Sequence, residues 1–227
     1  MPIGFEKRLE RRSAILIAAR RLLARHGFEG VTMRDLARES GVTVPTLYNI
    51  FANKEAVIAE AIEELVRLQL SMASRHGSAR GLERIVRTLE MHIAIMDETP
   101  AYSRAVLKYV ANKPLVTQRV AAGLVNESLS LALQELREDG HLEPGIALDA
   151  VRVSLIVTLW GAVRAWEVEM LTMEECRRAM KLSTFLTLQS VTVGRLHDEL
   201  ARLSCALAST WDQSTPLDGG RSDLAAK

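Results

Sequence analysis

The sequence predicts an all-α chain with a short helical head and a larger helical body. Three observations predict it. Apolar residues recur with a helical period almost everywhere along the 227 residues. Period-two alternation with β-branched enrichment, the mark of strands, is nearly absent. Glycine, proline and capping residues punctuate the chain at helix-length intervals. The length suffices to bury a core without disulfide or metal staples.

A first helix is predicted from about Lys7 to His26, with Ile15, Ala19, Leu22 and Leu23 on one face and Gly27 as its stop. Phe28 and Val31 anchor a short connection. Thr32 caps a second, short helix, and Asp35 completes a pair like a capping box. Met33, Leu36 and Ala37 form its inner face, and Ser40-Gly41 ends it. Thr43 caps a third short helix. Pro45 lies in its first turn, where a missing N–H is tolerated. Val44, Leu47 and Phe51 face inward, and Asn53 caps a long fourth helix from Lys54 to about Met72.

After a loop at 74–81, helices are predicted at about 82–97, 101–111, 115–139, 147–170 and 172–194. Breaks fall at Thr99-Pro100, at Asn112 to Pro114, from Gly140 to Gly145 and near Thr172. A last amphipathic helix at about 195–211 carries Leu196, Leu200, Leu203 and Leu207. The end is rich in Gly, Ser, Asp and Pro and reads as a disordered tail. The expected division is a head at 1–54, a body at 55–211 and a tail at 212–227.

The net charge of +1 argues against a nucleic-acid partner until it is divided. Residues 1–54 hold ten Lys and Arg against five acids, a charge of +5 that leaves −4 on the rest. A basic head on an acidic body points weakly to nucleic acid or another anionic surface.

Other classes fall away. No run of about 18 apolar residues could span a membrane. The start, MPIGFEKRLERR, lacks the apolar stretch of a secretory signal. Cys176 and Cys205 stand apart without a CxxC and read as reduced core thiols of a cytoplasmic protein. The five histidines show no metal-ligand spacing, so no metal and no cofactor is expected. No Gly-rich phosphate loop, GxSxG or paired Glu-x-x-His is present. No catalytic residue is named, and an enzyme is the weakest reading; a protein-interaction module without ligand is another alternative.

Residues 32–51, TMRDLARES-GVT-VPTLYNIF, read as helix, tight turn, helix. The outward face of the third helix is left with Thr43, Pro45, Thr46, Tyr48 and Asn49. None is acidic, as a helix entering the major groove requires beside phosphate. On periodicity alone, a plain helical hairpin with a solvated face remains the alternative.

The segment resembles the DNA-binding domain of the tetracycline-repressor (TetR) family. The resemblance rests on RRLLARHGFEG followed by VTMRDLARESGVTVPTLYNIFANKEAVI, and covers residues 9–62. Its landmarks are Thr32, Leu36-Ala37, Gly41-Val42, Thr46-Leu47-Tyr48, Phe51 and Lys54-Glu55. Two positions depart from the family's habit. Ile50 stands where His or Tyr is common, and Asn49 where a longer basic or aromatic residue is common.

The resemblance implies double-stranded operator DNA as partner. It places Thr32, Arg34, Tyr48 and Lys54 at phosphates. It places Thr43, Val44, Pro45, Thr46 and Asn49 at base edges, where Asn can pair with adenine and methyl groups can touch thymine. With no Arg on that face, readout would lean on apolar contact, Asn49 and DNA shape. Arg8, Arg11 and Arg12 read equally as further phosphate contacts or as a solvated first turn.

The resemblance also implies a homodimer, built from the last two long helices of each body. Gly161, Ala165, Met180, Phe185 and Leu186 are the candidates. A small hydrophobic effector would sit among Met72, Met91, Ile95, Tyr102, Val106, Tyr109, Trp160 and Trp166. Taken singly, each reads more readily as core. Arg104, Arg152 and Arg164 could meet an acidic group on the effector, with surface ion pairing the simpler role. The whole would be a ligand-responsive repressor without a membrane segment.

Overall fold

The computed structural model describes the backbone of residues 3–73, 79–111 and 126–211, and the side chains of 7–65, 79–111 and 126–211. The described residues form ten helices and no strand. They are α1 (Ile3–His26), α2 (Met33–Ser40), α3 (Val44–Ile50), α4 (Lys54–Ala73) and α5 (Gly81–Glu98). There follow α6 (Pro100–Ala111), α7 (Glu127–Glu138), α8 (Leu148–Glu167), α9 (Met173–Gln189) and α10 (Gly194–Ser209). The chain divides into two compact units, Met1–Gly77 with Ile95–Leu124, and Ser78–Ala94 with Val125–Lys227.

In the first unit α1 packs against α2, α4 and α6. Ile15, Ala19, Leu22 and Leu23 are buried, as are Leu36, Leu47, Val57, Ile58 and Ile62 of the neighbouring helices. Burying a side chain of this size stabilises by about 1.5–3 kcal/mol, so this core outweighs any single polar tie. Two ion pairs fasten α1 to α4. Arg12 grips Glu60 with two nitrogens, Nε at 2.6 Å, and Arg20 meets Glu64 at 2.9 Å.

In the second unit α7 packs on α8, α8 on α9, and α9 on α10. Its core holds Ile85, Leu89, Leu133, Leu155, Trp166 and Leu188. Glu135 of α7 is buried too, gripped by Arg84 of α5 at 2.8 and 3.1 Å.

Several boundaries differ from expectation. The helix expected over 147–170 stops at Glu167. Glu169 adopts φ +63°, and the N–H groups of Met170 and Leu171 return to the Ala165 carbonyl at 2.8 and 3.2 Å. This left-handed ending normally takes glycine. Glu169→Gly is therefore expected to raise the free energy of unfolding by about 0.5–1 kcal/mol. Urea denaturation measures this; an unchanged or lower stability would contradict it.

The helix expected over 172–194 stops at Gln189. Val191, Thr192 and Val193 prefer extended backbone. They pair with residues 141–143, with Glu143 N–H to the Val191 carbonyl and Val193 N–H to the His141 carbonyl, each at 3.0 Å. The first helix starts earlier than expected, at Ile3. Of the helix expected over 115–139, residues 115–125 lie outside the described residues, as does the tail at 212–227. Cys176 is buried as expected, and burial pushes its thiol up to about 11. Cys205 is exposed instead, because it lies off the Leu196, Leu200 and Ser204 stripe by which α10 faces inward.

Candidate nucleic-acid interface

The turn between α2 and α3 is set by capping chemistry. The Thr32 hydroxyl accepts the Asp35 N–H at 3.2 Å and donates to the Asp35 carboxylate at 2.5 Å. That hydrogen bond, with Arg38 at 2.6 Å, holds the Asp35 carboxyl below its ordinary range. At the far end Gly41 takes φ +70°, and its N–H and that of Val42 close onto the last carbonyls of α2. A side chain there would be strained by about 1–2 kcal/mol.

Thr43 then caps α3, accepting the Thr46 N–H at 3.3 Å and sharing a hydroxyl bond with Thr46 at 2.8 Å. Leu47 and Phe51 are buried, which turns the opposite face of α3 outward. Thr43, Pro45, Tyr48 and Asn49 are exposed, and Val44, Thr46 and Ile50 are half-buried. These residues lie together on α3 and its N-cap, and none carries negative charge. Tyr48, at 53% exposed, is a large ring with no apolar cover. Arg34 projects from the start of α2 and is exposed, as are Arg8 and Arg11 on α1.

Lys54, expected at phosphate, and Arg12, read equally as a phosphate contact or part of a solvated first turn, both have partners within the chain. Lys54 Nζ donates to the Phe28 carbonyl at 3.0 Å and lies 4.2 Å from the centre of the Phe28 ring. Arg12, besides gripping Glu60, lies 4.8 Å from the centre of the Phe51 ring. Both fix the frame that carries α3. The aromatic residues closing each cation's shell lie 26 and 39 positions away in the chain, beyond the reach of local pattern.

The eight effector candidates do not share one unit. Ile95, Tyr102, Val106 and Tyr109 belong to the first, and Met91, Trp160 and Trp166 to the second. The Met72 side chain lies outside the described residues. Tyr109 packs against Phe28, ring centres 4.6 Å apart, and burial pushes the Tyr102 phenol up. Trp166 is 1% exposed and serves the core of the second unit. A cavity of about 400 Å³ in that unit is lined by Arg80, Glu83, Leu136, His141 and Glu199 among others, and by none of the eight. Arg152 bonds Asp149 at 3.0 Å and Arg164 meets Glu167 at 2.5 Å.

The five interface candidates separate by helix face. Met180 and Phe185 are buried inside the protomer, with Cys176, Thr184 and Leu188 on the inward stripe of α9. Hydrophobicity alone points them to an interface, whereas the phase of the helix turns them inward. Leu186 is 51% exposed, Gly161 is exposed and Ala165 half-buried. Val153 and Val157, not among the sequence candidates, are apolar and 51% and 63% exposed on the same helix as Gly161. Their four-residue spacing was the available signal.

Residues 15–61 match the sequence model described as bacterial regulatory proteins, tetR family. The HTH-type transcriptional regulator BetI of Agrobacterium fabrum is 40% identical over 57 residues, 25% of this chain. The alignment spans only 28% of BetI's own length. The HTH-type transcriptional regulator UidR of Escherichia coli K12 is 23% identical over 169 residues, 72% of this chain and 85% of UidR. Among solved structures, the transcriptional regulator FadR of Bacillus subtilis, in complex with stearoyl-CoA, shares the fold. The TM-score is 0.65 at 16% identity, covering 76% of this chain and 97% of FadR. The capped helix-turn-helix thus lies inside the segment that matches the tetR family of bacterial regulatory proteins, and most of the chain shares the fold of a solved transcriptional regulator.

Proposed function

We propose that the chain is a dimeric, ligand-responsive repressor of the cytoplasm that leaves its operator when a small hydrophobic effector binds. The observation that carries this reading is the outward face of α3, exposed, free of acids and fixed by two threonine caps. Thr43, Val44, Pro45, Thr46 and Asn49 read base edges. Thr32, Arg34, Tyr48 and, through its remaining N–H donors, Lys54 hold phosphates. The functional division is a head to residue 54, a body to 211 and a tail beyond.

One such head covers one half-site, so two are needed about 34–36 Å apart. The outward face of α8, Val153, Val157 and Gly161, with Leu186 of α9, supplies the pairing surface. A Cβ at Gly161 would meet nothing within 4 Å among the described residues. Glycine there costs the helix about 1 kcal/mol for no internal reason, and close approach of a partner helix supplies one.

Effector binding shifts the dimer toward a state whose recognition helices no longer match the groove, with a coupling of about 1–3 kcal/mol. The stearoyl-CoA held by FadR supports a hydrophobic effector. Activation in place of repression depends on where the operator lies.

Val157→Glu tests the dimer. Sedimentation is expected to show a folded monomer whose affinity for the operator has fallen by at least about a hundredfold, since one half-site contact set is lost. A variant that remains dimeric would remove α8 from the interface.

A further inference from the structure

We propose that His92 sets effector specificity: its Nε2 accepts a hydrogen bond from a neutral hydroxyl or N–H group on the bound molecule. This rests on the effector reading above and deepens it.

His92 lies on α5, one turn beyond Thr88. Its Nδ1 is 2.7 Å from the Thr88 carbonyl oxygen. A carbonyl can only accept, so Nδ1 carries the proton and donates. In the neutral ring this leaves a bare lone pair on Nε2. Burial pushes the His92 pKa down, against a smaller opposite pull from the Thr88 bond, so the ring stays neutral at pH 7. One edge of the residue reaches solvent, but Nε2 itself is buried and has no partner among the described residues.

Two hydroxyls buried without partners among the described residues are of a different kind. The Thr184 and Ser204 hydroxyls can rotate to donate to a carbonyl one turn back. An imidazole acceptor cannot be satisfied that way, because a helix wall offers it only carbonyls. It needs a donor from elsewhere.

The polar side chains around it on α5 are engaged. Thr88 Oγ1 shares a bond with Ser128 at 2.6 Å, Arg84 holds Glu135, and Glu90 pairs with Lys181 and Arg177. Leu89, three residues back and therefore beside His92 on the helix surface, is apolar. The molecule that fits is therefore largely apolar with one neutral donor: an alcohol, a phenol or an N–H compound. An ether lacks the donor, and a carboxylate would set acceptor against acceptor.

The test is calorimetric titration of the full-length protein with pairs differing in one donor. 1-Naphthol against 1-methoxynaphthalene and 1-decanol against decyl methyl ether serve. The wild type is expected to bind each donor at least about tenfold more tightly than its ether. In His92→Phe, which keeps a flat ring, the ratio is expected to fall to about one. Nitrogen-15 NMR of the unliganded protein is expected to show His92 protonated at Nδ1 and bare at Nε2. Equal affinities in the wild type, an unchanged ratio in His92→Phe, or a proton on Nε2 would overturn the assignment. Failure of every probe to bind, with the ring in the expected tautomer, would overturn the effector reading itself and with it a ligand at His92.

Discussion

Arg84→Ala is expected to lower the free energy of unfolding by about 3 kcal/mol. Glu135 is 5% exposed and accepts three bonds: two from Arg84, and one from the Gly81 N–H at 2.8 Å. Removing one partner of a buried pair strands the other charge, at about 3–5 kcal/mol. The low end applies because Arg84 keeps 24% of its side chain in water. The double change Arg84→Ala with Glu135→Leu should recover most of the loss, since an apolar pair leaves no orphan charge.

The Glu135 carboxyl is held below its ordinary 4.5, first by the Arg84 hydrogen bond and then by the Gly81 N–H. A depressed folded value means the contribution is present above about pH 5 and is lost as pH falls through that value. Urea titrations at pH 7 and pH 3 should show the wild type and Arg84→Ala converging in acid. A gap no smaller at pH 3 than at pH 7 would contradict an ionic origin. Gly81 is fixed in the same joint. It has φ +51°, and a Cβ would lie 2.9 Å from Leu136 Cδ2.

Asn49→Asp is expected to weaken operator binding by about a hundredfold without lowering stability. The residue is exposed, so no core contact is lost. The change removes an amide able to pair with adenine in bidentate fashion, worth about 1–3 kcal/mol. It also sets a carboxylate against the phosphates, which weakens binding to any duplex. Asn49→Ala, by contrast, should relax the preference at one base step and leave random DNA nearly unaffected. Fluorescence anisotropy on specific and random duplexes at several salts separates the two effects. Equal affinity of Asn49→Asp and wild type would take Asn49 out of the groove.

The head was legible because its determinants are local. Thr32, Gly41, Thr43 and Asn53 act within three or four residues, and each capping or turn contact is found where the pattern puts it. Lys54 and Arg12 were less legible. Their charges suggested phosphate, but Phe28, Phe51 and Glu60 come to them from other elements. Met180 and Phe185 show the same limit on α9, where hydrophobicity without helix phase pointed to an interface. The valines around Thr192 could have been read as extended, but a helical run on both sides masked them. His92 left no local trace, because an orphaned Nε2 is a property of its three-dimensional surroundings.

The central claim is that two copies of the α2–α3 unit read one symmetric duplex. Selection of bound duplexes from a random pool by the full-length protein, followed by sequencing, tests it most directly. The account predicts enrichment of an inverted repeat whose half-sites are centred about one helical turn apart, or a multiple of it, and its loss with Asn49→Asp. No enrichment, or enrichment of a single site without two-fold symmetry, would contradict it.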